Sequence, residues 1–145
     1  MAIIVVFAGT ALATDGIGFS LSVLSRGTLS ESVHYNTGAV KLQTKGPVDF
    51  VRADATFDPL GSSGWHAHPG VVLVTVVSGS LVAYAADCSS TPYAAGSAFT
   101  ESGDAAGLVR NEDTTTPAVV HVTFIVPAGT TALKIDKPNP GCPQN

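Results

Sequence analysis

The sequence predicts an all-β fold, a single domain closed into a jelly-roll barrel, and three observations lead there. No segment of useful length repeats its apolar residues with the 3.6-residue period of a helix. Val- and Thr-rich runs of strand length recur between turn residues drawn from 15 Gly and 9 Pro. The 145 residues show neither a linker nor an internal repeat, and a chain of that length can bury its own core. Short strands without helical crossovers build sandwiches or barrels, and a jelly roll matches the size.

In chain order, residues 17–24 alternate loosely and make a first strand. Residues 26–36 are polar, with Gly27 and Ser30-Glu31-Ser32, and read as a loop in which His34 is solvated. Residues 39–44 place Val40 and Leu42 on one face and Lys41 and Gln43 on the other, the pattern of a half-buried strand. Lys45-Gly46-Pro47 turns the chain into a long strand over 48–57, with Val51, Ala53, Ala55 and Phe57 on one side.

A loop over 59–63 then leads to Gly64-Trp65-His66-Ala67-His68-Pro69-Gly70. The β-branched run 71–77 that follows reads as a buried strand closed by Ser78-Gly79. Residues 81–86 return. Residues 87–92 form a loop carrying Cys88, Ala98-Phe99 is a short apolar step, and 101–104 turn again. Residues 108–111 enter a polar turn at 112–116, and 118–126 form the strongest remaining strand.

Charge excludes one class of partner. The formal net charge is −4 with only 12% charged residues, and the few Lys and Arg are scattered, so no nucleic-acid footprint exists. Residues 2–13 carry no charge and end in Ala11-Leu12-Ala13, a small-x-small pattern of the kind a signal peptidase cuts after. That run is too short to span a membrane.

Two readings fit the start. Residues 1–13 are an export signal, leaving 14–145 as a secreted or periplasmic domain with no membrane segment; or 3–7 are an apolar strand of a cytoplasmic protein. No cation precedes Arg26, which counts against a signal, but export is the favoured reading. The cysteines follow the same fork. In an exported chain Cys88 and Cys142 form a disulfide worth roughly 4 kcal/mol, pinning the Pro-rich tail; in the cytosol they are free thiols.

The chemistry centres on His66 and His68. Side chains two apart on a strand share a face, so both imidazoles aim at one point, and no other stretch brings two metal-ligand types so close. Trp65 reads as packing, and Arg110 and Asn111 as structural polar groups at a strand end. No Ser-His-Asp arrangement or phosphate-binding Gly loop is present.

With these residues laid out, residues 38–127 resemble the cupin superfamily, specifically its small secreted single-domain bacterial members, and the tail from Ile135 to Cys142 resembles that group too. The first cupin motif, Gly, spacer, His-x-His, Glu, Gly, is matched by Gly64, His66, His68 and Gly79, with Val72 in the Glu place. The second, Gly, Pro-x-Gly, His, Asn, is matched by Gly96, Gly103 and Asn111, with Glu101 in the Pro place and Gly107 in the His place.

The resemblance implies a double-stranded β-helix. It also implies a divalent metal (Fe, Mn, Ni or Zn), of whose usual three His and one Glu only His66 and His68 carry over. Such a site is degenerate and holds its ion weakly or not at all, because two imidazoles fall short of the three protein ligands a catalytic ion generally takes. Glu101 and His121 are the candidates to complete the set. The expected function is binding of a small molecule in a barrel mouth lined by His66, His68, Val72 and Gly107. The alternatives are a metal-dependent enzyme of dioxygenase or isomerase type, and a structural protein, an exported homodimer pairing through sheet edges.

Overall fold

The computed structural model describes residues 13–144, and among them every regular element is a strand. The export signal expected over 1–13 and the alternative strand over 3–7 lie outside the described residues, except Ala13, which bridges Pro138.

The longest strand, β4 (Val48–Ser62), follows β1 (Ile17–Leu29), β2 (His34–Asn36) and β3 (Lys41–Gln43), and it is the hub. Alternation decides its faces: Val51, Ala53, Ala55 and Phe57 are all buried, as the sequence predicts, while Arg52, Asp54 and Thr56 point out. β1 runs antiparallel along one side of β4.

Beyond it in the chain lie β5 (His66–Ala67), β6 (Val71–Ser78), β7 (Ser80–Ala85), β8 (Ser90–Ala94), β9 (Ala98–Ser102), β10 (Gly107–Arg110), β11 (Ala118–Pro127) and β12 (Ile135–Asp136). β11 takes the other side of β4, β6 pairs β11, and β9 pairs β6. Across this leaf, rows of inward side chains are in register: Val51, Phe124 and Val72; Ala53, Val122 and Val74; Ala55, Val120 and Val76. Each fully buried Val or Phe contributes ~1.5–3 kcal/mol of apolar transfer. At residue 70 the backbone passes so close to Ile125 that a Cβ would sit 2.1 Å from its carbonyl oxygen, so only glycine fits.

The facing leaf holds β8, β7, β10, β5 and β12. β4 reaches it by bending near Leu60, whose φ of 61° is left-handed, so that Ser62 pairs Arg110 of β10. Asn111 fastens this corner. Its side chain is fully buried, its Nδ2 donates to the carbonyls of Phe57, Asp58 and Thr116, and its Oδ1 accepts from the Asp113 amide.

Several expectations are corrected. β6 is not buried throughout: Val71, Leu73 and Val77 are exposed and only the Val72, Val74 and Val76 face is covered, while Val40 lies outside β3 and is exposed. The stretch 26–29 is strand rather than loop, because Arg26 and Thr28 donate to the buried carboxylate of Asp49 and so satisfy a polar strand end. His34 likewise lies in β2, paired to β3 in a small separate sheet. The loops expected at 59–63 and 87–92 are largely taken up by β4 and β8, whose backbone bonds go to β10 and β7. Glu101 and Ser102 belong to strand β9 rather than a turn, paired with Val72 and Val71.

Candidate metal centre

β5 is only two residues long, yet it fixes the site. Gly107 of β10 pairs His66 on one side, and Asp136 of β12 pairs it on the other. Both imidazoles are buried, at 5% and 6% exposure, with ring centroids 4.7 Å apart and planes at 88°. The region is a strand, and the rings face the hollow.

Each ring is oriented by a backbone carbonyl. His66 Nδ1–H donates to Gly64 O at 2.9 Å, and His68 Nδ1–H donates to Leu133 O at 2.7 Å. A carbonyl can only accept, so both rings hold the Nδ1–H tautomer and both Nε2 lone pairs project inward. His68 Nε2 is buried and makes no hydrogen bond. Burial holds the His66 pKa below the ordinary histidine range, against the opposing pull of Glu101, so that ring stays neutral.

Glu101 completes the cluster. Its Oε1 lies 3.7 Å from His66 Nε2 and its Oε2 3.5 Å from His68 Nε2, with the carboxylate one-fifth exposed. The ligand atoms of His66, His68 and Glu101 all fall within 4.8 Å of one another. Of the two candidates to complete the set, Glu101 is the one brought to the pair. The family's Glu place is Val72, but Val72 and Glu101 are direct cross-strand partners, so the carboxylate enters from the neighbouring strand. Gly107 faces the carboxylate: a Cβ there would lie 3.9 Å from Glu101 Oε1, in ordinary contact.

His121 is the other correction. It sits on the outer face of β11 beside Asp54, with its Nδ1 2.6 Å from the carboxylate and its side chain 41% exposed. Neighbouring β11 residues Val120 and Val122 point inward, and the pleat therefore turns His121 outward, away from the cluster. Val72 is 1% exposed and faces an inner apolar hollow, on the far side of His66 and Glu101 from the cleft.

Two imidazole Nε2 atoms and a carboxylate converge here, and a cation between them would draw all three together. Nitrogen and carboxylate donors in this number suit a first-row divalent ion, the two-His-one-carboxylate pattern of non-haem iron being one case. His66, His68 and Glu101 would hold it, and an ion there would polarise a bound ligand as a Lewis acid.

A cleft of ≈ 250 Å³ opens over the cluster. Its walls include Tyr84, Thr91 and Tyr93, the last stacked on Phe99 with centroids 4.5 Å apart, and among the described residues no Lys or Arg lines it. Cys88 and Cys142 are joined in a disulfide. The tail that carries Cys142 is not loose, as its Pro-rich composition suggests. Cys142 packs with Trp65 and Leu108 in a second small core, and Trp65 Nε1–H donates to Gln144 O.

No protein-family model matches the sequence, and no curated protein sequence does. Solved structures do match. The Cupin_2 domain of an XRE-family transcriptional regulator from Enterobacter cloacae aligns with a TM-score of 0.50 at 17% identity, over 76% of this chain and 97% of that one. A protein with a double-stranded β-helix domain from Klebsiella pneumoniae aligns with a TM-score of 0.50 at 19% identity, over 61% and 76%. An oxalate oxidase aligns with a TM-score of 0.46 at 22% identity over 55% of this chain; the alignment spans about half of the oxidase, 46%. Strand order and the first two likenesses agree, and the chain has a double-stranded β-helix fold.

Proposed function

We propose that this protein binds a small molecule at a single divalent metal ion held by His66, His68 and Glu101 in the mouth of the barrel. The observation that carries this reading is the convergence of the Glu101 carboxylate with two imidazoles whose Nδ1 atoms are already bonded to carbonyls. A divalent ion would satisfy all three groups at once, and burial disfavours a proton on His66. The cleft above the ion accepts a compact ligand, and its Ala, Thr and Tyr walls favour a neutral one over a polyanion. The Cys88–Cys142 disulfide supports a secreted or periplasmic home, where such bonds persist.

Protein purified without chelator is expected to carry close to one equivalent of Fe, Mn, Ni or Zn by elemental analysis. The His66→Ala/His68→Ala double variant is expected to carry almost none while still folding. Metal-free wild-type protein whose melting does not respond to any of these ions would sink the reading.

A further inference from the structure

The tail that follows the barrel touches the metal cluster at more points than a terminal extension needs. Leu133 supplies the carbonyl that fixes the His68 tautomer, at 2.7 Å. Lys134 Nζ donates to Ser63 O at 3.0 Å, and Ser63 is itself within 3.3 Å of His66 Nδ1. β12 then pairs directly with β5, Ile135 opposite Ala67 and Asp136 opposite His66, and the Lys137 amide donates to Trp65 O at 2.9 Å. Gln144 O accepts from Trp65 Nε1 at 3.0 Å. The residues flanking both imidazoles are therefore held by the tail on their open side.

What holds the tail is the disulfide. β12 is two residues long, and a strand that short contributes little by itself. Cys142 is tied to Cys88, in the turn between β7 and β8, where Ala85 and Ser89 edge the cleft. One covalent bond thus joins the wall of the cleft to the segment that orients its floor.

We propose that residues 133–144 are a positioning strap of the metal site, and that the Cys88–Cys142 bond sets the site's metal affinity by keeping the strap docked. The proposal rests on the His66–His68–Glu101 reading for its metal arm only. With the strap released, the His68 ring loses its carbonyl partner, both tautomers populate, and the Nε2 lone pair is no longer aimed. Removing such a hydrogen-bond partner from a metal-binding histidine lowers affinity by about 10–100-fold.

The test compares wild type with the Cys88→Ser/Cys142→Ser variant and, with the disulfide intact, Lys137→Pro, which deletes the amide bonded to Trp65. Trp65 is the single tryptophan and is fully buried, so its emission reports docking. Two changes are expected in the double serine variant, a red shift of that emission and a Co(II) affinity at least about tenfold lower, with strand content by circular dichroism unchanged. Lys137→Pro is expected to move affinity the same way by less.

In metal-free protein, nitrogen NMR of the His68 ring is expected to show the Nδ1–H form in wild type and a mixture in the double serine variant. This arm reads the strap even if no metal binds, so the two readings fail separately. An unshifted Trp65 emission without the disulfide, or a released tail with an unchanged His68 tautomer, would overturn the proposal. Should the double serine variant fail to fold, an Nδ1–H tautomer and metal affinity unchanged in Lys137→Pro would do the same.

Discussion

The two leaves of the barrel differ in what their sequences have to achieve. The leaf built on β4, β11 and β6 is held by rows of alternating inward Val, Ala and Phe, and any residue of like volume would serve. The mouth around β5 is held by single groups with one partner each: a carbonyl for each imidazole, a cross-strand carboxylate, a tail residue over Trp65. The first region is redundant and the second is not. Stability therefore resides mainly in one and chemistry in the other, and each can be broken with little effect on its counterpart.

The largest effect is expected from Phe57→Ala. Phe57 is 3% exposed and packs on Phe19 with centroids 4.9 Å apart. Emptying that position costs about 3–5 kcal/mol, read as a lower midpoint in chemical denaturation, while the metal bound per folded molecule is unchanged. Glu101→Gln is its converse. It removes a donor charge without changing shape, so metal affinity drops by about two orders of magnitude, since a direct donor matters at least as much as an outer partner. Melting of the metal-free protein moves little or rises, because the carboxylate no longer faces two lone pairs. Equal metal occupancy in Glu101→Gln and wild type would show that the mouth is redundant after all.

A smaller effect comes with acid. Hydrogen bonds from Thr28 and the Gly129 amide, and the Arg26 guanidinium, hold the Asp49 carboxyl below the ordinary aspartate range. A depressed folded-state pKa contributes stability above the unfolded value, and that stability is lost as pH falls through the folded one. Asp49→Asn is therefore expected to lower the melting temperature at neutral pH and to narrow its gap from wild type below about pH 4. The smallest effect belongs to His121→Ala, which removes a half-exposed pair with Asp54 worth about 0.2–1 kcal/mol and leaves metal binding untouched. A loss of metal in that variant would contradict the outward placement of His121.

Legibility in the sequence follows the same division. Strands 48–57 and 118–126 could be read directly, since period-two burial is written in consecutive residues and needs no partner to interpret; 71–77 was legible as a strand, but its continuous apolar run hid which face is exposed. His66-Ala67-His68 could be read for the same reason. Glu101 was harder. Next to Ser102-Gly103-Asp104 it has the local look of a turn, and only its pairing with Val72 shows that it points inward. His121 failed in the opposite sense, for its alternation with Val120 and Val122 already set it on the other face. The strand over 26–29 was hidden because its polar side chains are satisfied by Asp49, over twenty residues away.

By itself, then, the sequence determined the strand class, the inward faces of the central leaf and the two imidazoles, because each rests on spacing along one strand. Tertiary structure alone decided that Glu101 joins the two imidazoles, that Leu133 orients His68 and that the tail pairs with β5. Those depend on the register between strands distant in the chain, and register is a property of the folded sheet that no local run of residues contains.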